Sequence, residues 1–277
     1  MATTAPDNQS PVIRRLDGTE LAGKVAVVTG GSGGLGAAIC QRLAEAGAAV
    51  VVGYNSSQQP AELLASQLPV VAGYNGEQPH CALAAPVTDG AAMKQMAEQV
   101  SERYGRCDIL INCAGTTRYC PHDDLEGLDD ELIDRILATN VRGPFASVRA
   151  FKSLLQQSGS AGQGSSLVVN ISSIAAVTAM GSNVIYCASK AAVDNMTRSL
   201  ARALAPAIRV VSVAPGLADT EFVKQMDQSW RDEQAERTPL KRLAAPEEVA
   251  DAVIAAAAYL TFTTGNIIAV DGGRPLS

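Results

Sequence analysis

The chain has 277 residues, is 47% hydrophobic with 24 glycines, and carries a formal net charge of −6, the composition of a packed globular protein rather than a disordered or fibrous one. No basic stripe relieves that acidity, which argues against nucleic acid as a partner because phosphate binding needs clustered Lys or Arg. The longest apolar run, near Ala252 to Leu260, is too short to span a bilayer.

Residues 1–20 read as a mobile tail: Arg14 and Arg15 are followed by acid and glycine, where a secretory leader would place a long apolar stretch. Residues 21–277 read as one domain. Short apolar runs predict strands at Val25 to Thr29, Ala49 to Gly53, Cys81 to Ala85, Ile109 to Cys113, Ser166 to Ser172, Arg209 to Ala214 and Ile267 to Val270. Helical patterns fall between them at Leu35 to Ala46, Ala91 to Tyr104, Leu128 to Leu155 with a break near Asn140, Val184 to Ala205, and Pro246 to Tyr259. This alternation predicts an α/β fold, a doubly wound parallel sheet of about seven strands with helices on both faces. Gln156 to Ser166 has the composition of a Gly/Ser linker. The polar stretch 217–243 follows a strand's C-terminal end, where open α/β sheets bind ligands, and is a candidate substrate lid with one good helical stretch. A short echo, "VVVGYNSSQQP" and "VVAGYNGEQPH", puts Tyr54 and Tyr74 in similar settings but is far from a repeat architecture.

Six cysteines without a CxxC pair, several inside apolar segments, read as reduced thiols of a cytoplasmic protein. With only His80 and His122, far apart, a metal site is not expected.

"VAVVTGGSGGLG" sets a buried strand before Gly30, Gly34 and Gly36, with a helix opening on the last of these. Such a turn lets backbone N–H groups and a helix dipole approach a pyrophosphate, although a Gly-rich turn alone has a purely structural reading too. "YCASK" puts Tyr186 and Lys190 on one helix face at i,i+4.

With these motifs in place the chain, from about Leu21 to Gly273, resembles the short-chain dehydrogenase/reductase family, and among its members is similar to 3-oxoacyl-carrier-protein reductases. "TGGSGGLG" is similar to the family's TGxxxGxG turn, "NCAG" (Asn112 to Gly115) to its NNAG, and Asn140 to its structural and catalytic Asn. "NISS" and "YCASK" are similar to its Ser and YxxxK, "APGLADT" (Ala214 to Thr220) to its PG turn, and "VDGG" to its closing strand. The resemblance implies a single-domain Rossmann fold, a homotetramer or homodimer built on the long helices after Asn140 and Val184 and on the last strand, and four catalytic residues: Asn140, Ser173, Tyr186 and Lys190. Adjacent strand residues face opposite ways, so only one of Ser172 and Ser173 can meet the site, and the family's thirteen-residue spacing to the tyrosine selects Ser173.

The implied reaction is hydride transfer between a nicotinamide and a carbonyl or alcohol carbon. An ordinary phenol is a poor acid–base catalyst at neutral pH. An ammonium about 5 Å away, at an effective dielectric near 20, favours the phenolate by roughly 3 kcal/mol. Tyr186 is therefore expected to exchange the proton, Ser173 to bond the substrate oxygen, Lys190 to hold the ribose hydroxyls as well, and Asn140 to support a water-linked path.

For the cofactor, the resemblance implies binding by Gly30, Ser32, Gly33, Gly34, Leu35 and Gly36 of the first turn, by Val87 packed on the adenine, by Asn112, Ala114 and Gly115, by Pro215, Gly216, Leu217 and Thr220, and by Tyr186 and Lys190, the lysine holding the ribose. NAD-selective sites carry Asp or Glu about 20 residues past the glycines. Tyr54 holds that position, eighteen residues past Gly36, and no carboxylate occurs from Gly53 to Pro60. Asn55, Ser56 and Ser57 can donate to a 2′-phosphate, or can simply cap a helix near Pro60. Gly33 stands where many NADP-preferring members have a base. The balance favours NADP(H), with NAD(H) as the alternative. Pro86 replaces the family's adenine-binding Asp, and Cys113 its second turn Asn.

The substrate expected is a small free ketone or secondary alcohol. Gln156 to Ser166 and Ala203 to Ile208 carry no base to dock an acidic acyl carrier. The competing readings are a non-catalytic nucleotide-sensing regulator on the same fold, and an enzyme of dehydration or epimerisation. The former would lack part of the catalytic set, and the latter would have a different glycine pattern.

Overall fold

A computed structural model describes residues 17–70, 79–160 and 165–276. Most of the expected tail and Tyr74 of the echo lie outside the described residues. Seven strands, β1 (Val25–Thr29), β2 (Ala49–Tyr54), β3 (Cys81–Ala84), β4 (Ile109–Asn112), β5 (Ser166–Ile171), β6 (Ile208–Pro215) and β7 (Ile267–Val270), form one sheet in the order β3-β2-β1-β4-β5-β6-β7. Every neighbouring pair is parallel. The helices are α1 (Gly34–Glu45), α2 (Gln58–Gln67), α3 (Gly90–Tyr104), α4 (Asp130–Leu137), α5 (Gly143–Ser160), α6 (Ala175–Thr178), α7 (Val184–Leu204), α8 (Glu221–Lys224), α9 (Gln228–Glu236) and α10 (Pro246–Ile254).

Consecutive strand residues point to opposite faces, so the strands feed two cores. Ala26 and Val28 join Ile39 and Leu43 of α1 and Val249 and Val253 of α10 on one face. Val25 and Val27 join Met93 and Met96 of α3 and Phe151 and Leu155 of α5 on the other. A strand buried on both faces can be apolar throughout, which is why these runs do not alternate. The strand order reverses between β1 and β4, and the crevice above their C-terminal ends is where such sheets take ligands.

The expected break near Asn140 is a π-helical turn, Ala138–Arg142, between α4 and α5. The expected linker is corrected at its start: Gln156 to Ser160 belong to α5, residues 161–164 lie outside the described residues, and Ser166 opens β5. Packing overrides composition here. The Ser158 hydroxyl donates to Leu154 O at 3.0 Å and accepts from Cys107 N at 3.1 Å, and a Cβ on Gly159 would strike the carbonyl of Ala207. Within 217–243, α9 is tied to the start of the segment by Arg231–Asp219 at 2.7 Å and to the body by Arg274, which donates to Gln234 O at 2.7 Å and Gln234 Oε1 at 2.8 Å.

Among the described residues no helix is long and apolar enough to cross a membrane. The same residues contain no group of three or more His, Cys, Asp or Glu side chains that could hold a metal ion.

Candidate active site

Tyr186 and Lys190 lie in the first two turns of α7, where i,i+4 spacing stacks them on one face. The Lys190 ammonium is 5.6 Å from the centre of the Tyr186 ring and donates to Ile171 O at 2.8 Å. Lys190 itself is only 7% exposed. A buried ammonium needs partners, and Ile171 O accepts one of its three protons.

Ser173 follows the end of β5, its hydroxyl accepting from Ala175 N at 3.1 Å. Ser172 is buried and its hydroxyl faces Lys190 O at 3.4 Å. Ser172 is thus turned inward, and both serines follow β5, which ends at Ile171. Gly181 joins the pieces: a Cβ there would lie 3.0 Å from Ala175 Cβ and 3.1 Å from Tyr186 Cδ1, so Tyr186, Gly181 and the Ser173–Ala175 turn share one surface. Asn140, in the π-helical turn and 2% exposed, accepts from Thr116 N at 2.8 Å and donates to Thr116 O at 3.0 Å and to Ser189 Oγ at 3.1 Å. Its carboxamide thereby holds the chain beyond β4 against α7.

The crevice fits a dinucleotide by its bare surfaces. Gly30 has φ +65° and a Cβ there would lie 2.8 Å from Ala114 Cα, so only glycine lets the first turn approach the β4 turn. Gly33 opens on free space and precedes α1, whose N-terminus has no side-chain cap, leaving backbone N–H groups for an anion. The helix starts at Gly34 rather than Gly36. Leu35 packs against the core, while Ser32 is half-buried in the turn. Thr220 meets Gly34 across the crevice, its Cγ2 3.5 Å from where a Cβ would stand. At the other end Gly115 is bare: a Cβ would lie 3.6 Å from Asn140 Oδ1 and 4.0 Å from Lys190 Nζ. Pro215, Gly216 and Leu217 leave β6 with Gly216 N bonded to Val270 O at 2.9 Å.

Two of the expected cofactor residues have buried side chains. The Asn112 side chain turns into the interior, donating to Asn170 Oδ1 at 2.8 Å. Val87 is 6% exposed and packed in the core, with its Cγ2 2.9 Å from a Cβ built on Gly143. The NCAG turn is held through its backbone: the Thr29 hydroxyl accepts from Cys113 N at 3.2 Å and Ala114 N at 3.3 Å. Burial pushes the Cys113 thiol up to about 11, against the pull of the Lys190 ammonium. At the second strand's end Tyr54 is half-buried, and Asn55, Ser56 and Ser57 are exposed. Ser57 occupies the N-cap position of α2 yet makes no side-chain cap bond.

Sequence reasoning missed the polar chain beneath the site. Asn170 Nδ2 donates to Thr197 Oγ1 at 2.8 Å, and Thr197 Oγ1 meets Ser212 Oγ at 2.8 Å. It also missed Asn183, the cap of α7. Asn directly before the apolar start of a helix at Val184 is a helix-start signal, but its second set of partners is distant in sequence.

A family profile described as Enoyl-(Acyl carrier protein) reductase matches residues 30–274. Together with the parallel sheet and the Tyr186–Lys190 helix, that match makes the chain a member of the short-chain dehydrogenase/reductase family of oxidoreductases. It is 36% identical over 260 residues to cis-4-hydroxycyclohexanecarboxylate dehydrogenase of Sinomonas cyclohexanicum, covering 92% of this chain and 98% of that one. It is 33% identical over 257 residues to the 3-oxoacyl-acyl-carrier-protein reductase of Thermotoga maritima, covering 91% and 98%. Pseudomonas aeruginosa RhlG in an active-site complex with NADP superposes with TM-score 0.83 at 31% identity, covering 94% and 100%. The 3-ketoacyl-(acyl-carrier-protein) reductase of Brucella melitensis complexed with NADH superposes with TM-score 0.81 at 31% identity, covering 92% and 99%. These relatives support a nicotinamide cofactor for this chain.

Proposed function

We propose that this chain is an NADP(H)-dependent oxidoreductase that interconverts a small ketone and its secondary alcohol. The observation that carries the reading is the Lys190 ammonium, 5.6 Å from the Tyr186 ring centre and beside the bare Gly115. A bound nicotinamide supplies or takes the hydride. In the reducing direction Tyr186 gives its phenolic proton to the carbonyl oxygen, while the Ser173 hydroxyl donates a hydrogen bond to that oxygen and holds it in place. Lys190 stabilises the phenolate left behind, and its remaining N–H groups hold ribose hydroxyls. Asn140 fixes the segment after β4 so that this edge of the crevice keeps its shape, and supports a water-linked path to Lys190.

Gly30, Ser32, Gly33, Gly34, Leu35 and Gly36 would cradle the pyrophosphate, and Thr220 would face it from the segment 217–243, which closes over the substrate. The choice of NADP(H) rests on the absence of a carboxylate from Gly53 to Pro60 and on the Ser57 hydroxyl, which is not spent on capping α2. A small free substrate, rather than a carrier-bound one, is favoured by the lack of Lys or Arg in Gln156 to Ser166 and Ala203 to Ile208. The six cysteines are free thiols, in keeping with a cytoplasmic enzyme. Exposed Phe145 on α5 and Phe262 before β7 are apolar surface that a homodimer or homotetramer through those elements would cover.

Tyr186→Phe tests the reading. It is expected to abolish turnover across a panel of 3-oxoesters, diketones, quinones and secondary alcohols while NADPH fluorescence titration still shows binding. Full activity in that variant sinks the assignment.

A further inference from the structure

Beyond the Asn112–Gly115 turn the chain stays close to α7. Asn140 holds Thr116 by both backbone groups, and at the next two residues Asn183 takes over. Asn183 Nδ2 donates to Arg118 O at 2.7 Å and to Thr117 Oγ1 at 3.2 Å, while Asn183 Oδ1 accepts from Tyr186 N at 2.7 Å. Its neighbours reinforce the seam: Thr117 Oγ1 meets Ser182 Oγ at 2.6 Å, and Cys120 N donates to Ser182 O at 2.8 Å. Asn183 is wholly buried (0% exposed), although Gly181 and Val184 on either side of it are exposed.

One carboxamide thus ties the backbone N–H of Tyr186 to the 117–118 segment. A carboxamide is suited to this because it offers an acceptor and two donors from one planar group. Asp keeps the acceptor and loses both donors, and Ser keeps a cap but is too short to span to Arg118. The segment so held follows directly on Gly115 and Thr116 at the edge of the site and leads to Tyr119, 74% exposed.

We propose that Asn183 is a positioning residue that sets Tyr186 at a fixed place relative to the Thr117–Cys120 segment, which forms the substrate-side wall of the site. The proposal rests on the reading of Tyr186 as the proton-exchanging residue. The oxygen of Asn183 serves the tyrosine and its nitrogen serves the wall, so the two functions separate by substitution.

The experiment compares Asn183→Asp, Asn183→Ser and Asn183→Ala with the parent at a temperature well below the unfolding transition of each. The probe is the ketone the parent reduces fastest in the panel above, with NADPH. Asn183→Asp and Asn183→Ser keep the cap and lose both donors to the wall, leaving Arg118 O without its partner while Thr117 Oγ1 keeps Ser182 Oγ: KM is expected to rise roughly tenfold with kcat within a fewfold. In both variants hydrogen exchange of the Thr117–Cys120 segment accelerates. Asn183→Ala loses both contacts, so its kcat falls roughly tenfold as well, while NADPH binding is kept. Asp and Ser variants with parental KM and parental exchange overturn the proposal, and so do losses that are equal in all three variants and follow thermal stability alone. Tyr186→Phe, run alongside, separates the two readings. If it is inactive while the Asn183 variants match the parent, only this proposal fails; if it is active, the assignment of Tyr186 beneath it fails.

Discussion

His80 Nδ1 accepts the amide proton of Val50 at 3.0 Å, so a side chain extends the ladder between β2 and β3 by one residue. Its other nitrogen stands 3.1 Å from Pro69 O, which requires the neutral tautomer with the proton on Nε2. Burial lowers the His80 pKa below the ordinary 6.5, opposed by the bond to Pro69. In the window below pH 6.5 the unfolded chain therefore binds more protons than the folded one. The stability contributed by this contact is full above pH 6.5 and is lost as pH falls through that value toward the lower folded-state pKa. Urea midpoints should drop between pH 7.5 and pH 5.5 by more in the parent than in His80→Gln. His80→Phe should cost roughly 1–3 kcal/mol at pH 7.5, the penalty of a buried amide without an acceptor.

Lys190→Met removes the cation beside Tyr186 without shortening the side chain much. A unit charge 5.6 Å from the ring centre, at an effective dielectric near 20, contributes roughly 3 kcal/mol, so kcat at neutral pH should fall about a hundredfold. NADPH affinity should weaken as well, since the same ammonium adjoins bare Gly115. Steady-state kinetics with a cofactor titration check both effects, and a loss of kcat under threefold refutes the assigned role.

Tyr54 ends β2 where a ribose-reading carboxylate stands in NAD-selective sites. Tyr54→Asp introduces that acceptor and sets a like charge against a 2′-phosphate, a repulsion felt by NADPH alone. The ratio of kcat/KM for NADPH over NADH should fall by tenfold or more. An unchanged ratio places the discriminating contacts elsewhere in the turn.

The strands were legible because β-branched and apolar runs bounded by Gly, Asn and Pro have few other uses, and the observed β1 and β7 match their expected limits residue for residue. The break near Asn140 was legible too, although the amide's partners, Thr116 and Ser189, are distant in the chain. The end of α5 was not, because Gln156 to Ser160 look polar and flexible until Leu154, Leu155 and Ser158 are seen buried against the strands. The partner of Asn112 was equally hidden: the NCAG motif places the residue at the C-terminal end of β4, and only the pairing of β4 with β5 brings Asn170 to its side chain.

Residue type and spacing along the chain were enough to determine the alternating α/β order, the glycine turn at the head of α1 and the Tyr186–Lys190 pair, because each rests on contacts within a few residues or one helical turn. The assignment of Asn140 to Thr116 and Ser189, of Asn183 to Thr117 and Arg118, and of His80 to Val50 belongs to the tertiary structure alone. Each of these side chains satisfies a buried backbone or hydroxyl group brought to it by the crossover connections. A local pattern carries no record of which distant N–H or C=O will arrive without a partner.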